Sequence, residues 1–389
     1  MKKKVLILGS TGSIGRNTYN IFKKDKKKFK IVLLSTNKNI SRIISQALEC
    51  NVKNIIISNK KKFFLAKDKY KSLKINFYNS FDILNKLFKK KEVHYSMQSI
   101  VGIDGLKPTL DLIKLSKKIA IVNKESLVCG WNLINKELKL HNTKFIPIDS
   151  EHFSIHNLIE NIDIKEIKKI YITASGGPFL KYKNIKKYKI NLPQALSHPN
   201  WKMGKKISID SATMMNKVFE VIEAKNIFNI PYNKINIITH PKSYIHSIVE
   251  LNNGLIKFLG HNPDMKIPII NSIYENKKTI LTKAINFKIL NNLNFRKINH
   301  TQFPFVKILN KLPSYNSLYE TAIITTNDFY VNLFLNKKID YLSMLSSIKK
   351  ILNHKNLIKY KKIRVNNVSQ VVNFREELSS KLQNLVYKN

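Results

Sequence analysis

Residues His198 to Ala224 read HPNWKMGKKISIDSATMMNKVFEVIEA, and their types suit chemistry better than packing. His198, Trp201, Met203 and Gly204 stand beside Lys202, Lys205 and Lys206 with neither a strand nor a helix period. Such a segment fits a mobile lid rather than a core. From Ser211 a hydroxyl precedes a helical run, in which Asn216, Glu220 and Glu223 recur at helical spacing and share one face. The competing reading of that face is a solvated stripe opposite Met215, Val218, Phe219 and Ile222.

A second group of carboxylates lies upstream in DSEH. Asp149 and Glu151 would point to opposite sides of an extended strand, so they reach one ion only if the chain turns there. With Glu220 they offer three hard oxygen donors, a set suited to Mg²⁺ or Mn²⁺. On spacing alone, a helix start capped by Asp149 or Ser150 competes with that reading. Ser175, in TASGGPF, sits beside Gly176 and Gly177, where the backbone can wrap an anion or simply turn.

These groups need elements to hold them. MKKKVLILGSTGSIG passes from a short apolar strand into a glycine turn at Gly9 to Gly15, and a helix begins near Ser13 and runs through Phe22. Strand, glycine turn and helix in that order suit a dinucleotide, with helix-start amides facing a pyrophosphate. The second strand, Lys30 to Thr36, ends in Ser35, Thr36, Asn37 and Lys38 without a carboxylate. That favours NADPH, whose 2′-phosphate would meet Lys38, over NADH. Further strands are expected at Asn54 to Ser58, Ser99 to Gly102, Lys118 to Val122 and Lys144 to Ile148, with helices between them. The alternation predicts a Rossmann-like, doubly wound parallel sheet whose strand ends carry Asn123, Lys124, Glu125, Asp149, Ser150 and Glu151. Residues 277 to 300 read as a connecting segment, and helices at Ser317 to Leu335 and Met344 to Leu352 predict a small C-terminal helical bundle.

Composition narrows the class. The 389 residues are 43% hydrophobic, a globular mixture, and Cys50 and Cys129 are the only cysteines, so no disulfide framework or cysteine zinc site is available. A reducing, cytoplasmic setting is expected. No apolar run approaches the roughly 20 residues that span a bilayer, so no membrane partner is expected either. The net charge of +44 invites a nucleic-acid reading, but only five arginines occur and the lysines are spread along the chain. No specific nucleic-acid partner is therefore expected.

Taken in order, GSTGSIG, NKES, DSEH, SGGPF, HPNWKMGKKISIDSATMMNK, HPKSYIHS and NPDM closely resemble the 1-deoxy-D-xylulose 5-phosphate reductoisomerase family across most of residues 5 to 275. The resemblance implies conversion of that sugar phosphate to 2-C-methyl-D-erythritol 4-phosphate in non-mevalonate isoprenoid synthesis, with NADPH and Mg²⁺ or Mn²⁺, Co²⁺ being a third option. It implies metal ligation by Asp149, Glu151 and Glu220, and substrate contacts from Lys124, Ser150, Glu151, Ser175, His198, Ser211, Asn216, Lys217 and Glu220. Lys124 and the three carboxylates form the catalytic set. NADPH contacts fall on Thr11, Gly12, Ser13, Ile14, Lys38, Asn39, Asn123, Glu125 and Gly204, and His198, Trp201 and Met203 fall on the lid. His240, Pro263 and Met265 are expected near nicotinamide or substrate. Asn37 departs from the family's usual glycine, where a left-handed turn would favour one.

The division that follows is 1–149 for NADPH, a central α/β catalytic region at 150–275 with the lid at 197–206, a linker at 276–300, and helices at 301–389. A homodimer is implied by resemblance alone. A generic NADP-dependent dehydrogenase would account for the first region but leave the carboxylate trio idle, and a basic nucleic-acid-binding protein would leave every motif idle.

Overall fold

The computed structural model describes every residue except 183, 202, 280–283, 285 and 388–389, and only the backbone of 186 and 387. Lys202 of the expected lid and part of the expected linker therefore lie outside the described residues. The chain forms two compact units. One comprises Met1–Ser126, Asn132–Asp149 and Met265–Ile280, the other Leu127–Trp131, Ser150–Asp264 and Leu281–Asn389.

In the first unit, strands β1 (Lys3–Leu8), β2 (Phe29–Thr36), β3 (Asn54–Ile57), β4 (Asn76–Tyr78), β5 (Val93–Gln98), β6 (Ser116–Ile121) and β7 (Lys144–Pro147) make one sheet. Its order is β4-β3-β2-β1-β5-β6-β7, and every pairing is parallel. Val5 to Leu8 are fully buried, as expected of a central strand covered on both faces. The chain order reverses between β1 and β5, so the glycine turn opens at the switch point where such sheets bind ligands. The strand expected at Ser99 to Gly102 instead occupies Val93–Gln98. Its polar face, with Ser96 and Gln98 fully buried, hid it from an apolar pattern. Gln98 recovers hydrogen bonds by donating to Gly105 O (2.8 Å) and Thr109 Oγ1 (2.9 Å).

Helix Lys266–Tyr274, placed by the sequence in the central region, packs Ile269, Ile273 and Tyr274 into the core of the first unit. Tyr95 and Ser272 share a buried hydroxyl hydrogen bond of 2.8 Å there. A sequence boundary drawn where motifs end cannot see such a return of the chain.

The second unit holds a five-stranded sheet in the order β11-β10-β8-β9-β12, built from β8 (Ile167–Ala174), β9 (Ile235–Thr239), β10 (Ile245–Leu251), β11 (Ile256–Gly260) and β12 (Arg296–Lys297). Strands β8 and β9 are parallel and the other pairs antiparallel. Part of the expected linker is thus a sheet edge, too short in β12 for a two-residue period to show. Helix Leu318–Leu335 starts in a reciprocal cap between Ser317 and Glu320 and packs with Tyr341–Leu352 and Val368–Tyr387, which gives the expected small bundle.

Gly15 is fixed by close approach: a Cβ there would lie 2.2 Å from Gly9 O, whereas one at Gly12 would meet nothing nearer than Gly9 O at 3.5 Å. Gly15→Ala should therefore cost more than about 2 kcal/mol through overpacking, and Gly12→Ala, at an N-cap, less than about 1 kcal/mol. Urea unfolding of both variants checks this, and equal losses would contradict it.

Candidate active site

Helix Ser150–Leu158 starts directly after β7, which gives the chain the turn that DSEH needs. Carboxylate oxygens of Asp149, Glu151 and Glu220 lie within 4.8 Å of one another. An octahedral ion with bonds of about 2.1 Å places opposite ligands about 4.2 Å apart, so three hard donors at this spacing fit Mg²⁺ or Mn²⁺. A helix start and a carboxylate cluster thus coexist at DSEH, since the chain turns into the helix between Pro147 and Glu151.

Glu220 sits on helix Met215–Phe228 and is 1% exposed, as is Glu223, so the face that also carries Asn216 is buried and not a solvated stripe. Two lysines offset the concentrated negative charge. Lys124 Nζ is 2.5 Å from Asp149 Oδ2, and Lys217 Nζ is 2.6 Å from Glu151 Oε1 and 2.5 Å from Glu220 Oε2. Burial alone would lower the affinity of Lys217 for its proton, but the two facing carboxylates outweigh it and hold the ammonium above its ordinary range. His152 Nε2 meets Glu220 O at 2.8 Å, and Ser247 donates to Glu151 O at 2.9 Å, so each acid's backbone is tied to a neighbouring element. His152 and Ser247 stand in the motifs DSEH and HPKSYIHS, but the sequence assigned neither a role, because the backbone atoms that they hold lie on other elements.

Ser211 does not open a helix. It lies in the last turn of helix Lys205–Ala212, and the next helix starts at Met215 after Met214 adopts φ +64°. The sequence showed no break because IDSATMMNKV keeps a helical pattern throughout. Gly177, at φ +64°, lets the SGG turn lie against this corner: a Cβ there would be 2.9 Å from Ser211 O. The turn thus sets Gly177, two residues after Ser175, against the backbone of Ser211, and Asn216 and Lys217 lie in the first turn of the next helix.

His198 closes this pocket. Its Nδ1 accepts backbone N–H groups from Asn200 (3.2 Å) and Trp201 (3.0 Å), so the proton of the neutral ring sits on Nε2 and is directed to Ser175 Oγ at 3.0 Å. Gly177 N–H also donates to Ser175 Oγ, at 3.1 Å. With two donors already on its oxygen, Ser175 has its own hydrogen to give outward. Burial, helped by the Lys217 charge, pushes the His198 pKa down to about 4. Trp201 and Met203 are half-buried, Gly204 caps helix Lys205–Ala212, and the Trp201 ring lies 6.1 Å from that of His246. Lys205 and Lys206 of the expected lid are already helical. Lys206 pairs with Asp210 (3.0 Å) and Asp328 (2.9 Å).

In the first unit, Thr11, Gly12, Ser13 and Ile14 form the start of helix Ser13–Lys24, beside the ends of β1 and β2, where Thr11 and Thr36 share a 2.7 Å hydroxyl contact. Lys38 is exposed, and Asn39 caps helix Ile40–Glu49 through Arg42 N. Asn37 has no left-handed φ and donates to Ser58 Oγ at 2.9 Å, so the turn does not need the glycine it replaces. Asn123 caps helix Lys124–Leu140, accepting from Ser126 N at 2.6 Å and donating to Gly102 O at 2.9 Å, with Glu125 buried beside it. In the second unit His240 is fully buried, with Nδ1 3.2 Å from Asn294 O, and burial lowers its pKa.

Three family models match the chain: 1-deoxy-D-xylulose 5-phosphate reductoisomerase over residues 5–130, its C-terminal domain over 145–228, and the DXP reductoisomerase C-terminal domain over 259–380. The chain is similar to the reductoisomerase of Pelagibacter ubique, 50% identical over 98% of this chain and 99% of that protein, and to that of Clostridium novyi, 38% identical over the same shares. Among solved structures it resembles the Zymomonas mobilis reductoisomerase in complex with NADPH, with a TM-score of 0.85, 29% identity and 97% coverage of both chains. A DOX-P reductoisomerase in complex with NADPH, fosmidomycin and magnesium gives a TM-score of 0.89 at 29% identity, covering 98% of this chain and 99% of that one.

The depressed pKa of His198 has a definite sign. Between its ordinary value and about 4 the unfolded chain binds the extra proton and the folded protein does not, so stability falls as the pH drops through that window. His198→Asn should flatten this part of the stability profile, and imidazole NMR should find His198 neutral at pH 6. A His198 midpoint at its ordinary value would contradict the half-buried, Nε2-protonated geometry.

Proposed function

The chain belongs to the 1-deoxy-D-xylulose 5-phosphate reductoisomerase family, and from that premise we propose that it isomerises and reduces 1-deoxy-D-xylulose 5-phosphate to 2-C-methyl-D-erythritol 4-phosphate with NADPH and a divalent ion. The observation that carries this reading is the carboxylate triad, which shares Lys217 with the Ser175 and His198 pocket. When bound, the ion supplies Lewis-acid polarisation of the substrate's ketone and neighbouring hydroxyl, and NADPH supplies hydride.

The protein's own residues do the remaining work. Asp149, Glu151 and Glu220 hold the ion, and Lys124 orients Asp149 while offering a proton to substrate oxygens, which Ser150 also meets. Ser175 gives its free hydrogen to the substrate phosphate, and Ser211, Asn216, Lys217 and the neutral His198 complete that pocket. Binding the phosphate there contributes energy remote from the reacting carbons. Trp201 and Met203 close over the substrate and exclude water, with Gly204 at the hinge. Thr11, Gly12, Ser13 and Ile14 meet the pyrophosphate, Lys38 and Asn39 the 2′-phosphate, and Asn123 and Glu125 the nicotinamide side; His240, Pro263 and Met265 lie by nicotinamide or substrate. A dehydrogenase that reduces without rearrangement has no use for the triad, and specific nucleic-acid binding is no part of this reading.

Two further points belong to the proposal. Among the described residues no helix is long and apolar enough to cross a membrane, and Cys50 and Cys129 form no disulfide; a cytoplasmic setting is part of this reading. The β11 edge exposes Leu255, Ile256 and Phe258 by 57%, 63% and 57%, an apolar strand edge of the kind that proteins cover by pairing. A second copy of the chain covers it in a homodimer.

Asp149→Asn, Glu151→Gln and Glu220→Gln should each lower kcat/KM by at least about 100-fold, since Lewis-acid stabilisation is worth several kcal/mol. The assay is NADPH oxidation with the sugar phosphate and Mg²⁺ or Mn²⁺, with product identification. Near-normal turnover by all three folded variants would sink the assignment, as would a product with an unrearranged carbon skeleton.

Light scattering should give about twice the 45.2 kDa chain mass, and Ile256→Glu with Phe258→Glu should halve it. A monomeric parent protein, or a double variant that stays dimeric, rejects the β11 interface.

A further inference from the structure

The lid sequence HPNW contains Asn200, to which no role has been given. Both hydrogens of its side-chain amide are engaged: Nδ2 donates to Pro241 O at 2.7 Å and to Ser243 Oγ at 2.8 Å. Ser243 is buried and held at φ +50°, a left-handed backbone that serine seldom adopts. Its N–H closes a turn onto His240 O at 3.0 Å. Local strain of this kind persists where the surroundings impose it, often at clamps, and here it presents Oγ to the lid. We propose that Asn200 is a positioning residue that sets the proton of His198, and through it the hydroxyl of Ser175, for phosphate binding.

The path is a chain of donors and acceptors. Fixing Asn200 fixes the turn whose two amides, Asn200 N–H and Trp201 N–H, both point at His198 Nδ1. Two donors on Nδ1 exclude a proton there, so Nε2 carries it and donates to Ser175 Oγ. The Ser175 hydrogen is then free for an anion. If the turn slackens, Nδ1 gains the proton, Nε2 becomes an acceptor, and the Ser175 hydrogen is drawn to His198 instead of the ligand. The relevant partner chemistry is a phosphate or phosphonate, and the inference rests on the proposed role of Ser175 and His198 in holding it.

Asn200→Ala, Asn200→Asp and Ser243→Ala are compared with the parent protein, all in a Trp131→Phe background. Binding of fosmidomycin, and of inorganic phosphate as a simpler probe, is followed by Trp201 fluorescence. Imidazole nitrogen NMR reads the His198 tautomer. Loss of both Asn200 hydrogen bonds should weaken fosmidomycin binding about tenfold and raise the substrate KM more than it lowers kcat. Ser243→Ala should do less, and Asn200→Ala with Ser243→Ala no more than Asn200→Ala alone. In the parent, His198 should be Nε2-protonated, and the Asn200 variants should shift towards Nδ1 protonation, with NADPH affinity and melting temperature nearly unchanged. Unchanged fosmidomycin affinity and an unchanged tautomer in the Asn200 variants would overturn the proposal. If those variants fail to fold, Ser243→Ala decides it by the same two readings. Failure of the parent to turn over the sugar phosphate would remove the functional reading, whereas the tautomer and the binding of phosphate test the Asn200 path without turnover.

Discussion

The site depends on keeping three carboxylates together where water is scarce. Asp149, Glu151 and Glu220 would repel one another strongly at this spacing, and burial of Glu220 raises the cost further. Lys124 and Lys217 make the arrangement tolerable, leaving one surplus negative charge among the five groups. A divalent cation suits that imbalance, and an anionic phosphate nearby suits the result. Lys217 pairs with Glu151 and Glu220 together, and an ammonium with three rotatable donors keeps one to offer an anion in the proposed phosphate pocket. Buried ion pairs of this type seldom add net stability, so the cluster is better understood as a functional constraint that the surrounding packing sustains.

That packing is specific about direction. The helix break at Met214 turns a continuous amphipathic pattern into two helices, one carrying Ser211 and the other Asn216, Lys217 and Glu220. His152 and Ser247 hold the backbones of Glu220 and Glu151, and Asn327 donates to Asp210 at 2.8 Å, binding the helix after the lid to the C-terminal bundle. The bundle thus has a part in the site although it contributes none of the residues expected to touch substrate. Neutral His198 follows the same logic: desolvation and a neighbouring ammonium keep a proton away, so the ring acts as a fixed donor and not as a second cation.

The sequence by itself determined the parallel sheet, the glycine turn, the missing acid after β2, and which residue types stand at the candidate site, since these are local signals: β-branched runs, turn glycines, and motifs whose residue types have few other uses. It left the choice between a cap and a metal site at Asp149 open, because one spacing serves both until Glu220 arrives from another helix. Only the tertiary structure decided that Glu223 and Glu220 are buried, that Ser211 ends a helix, that Lys266–Tyr274 returns to the first core, and that β12 joins the second sheet. The latter facts turn on contacts between residues far apart in the chain, such as Asn200 with Ser243 or Lys217 with Glu151. No local pattern encodes a partner's position, so these were fixed by packing alone.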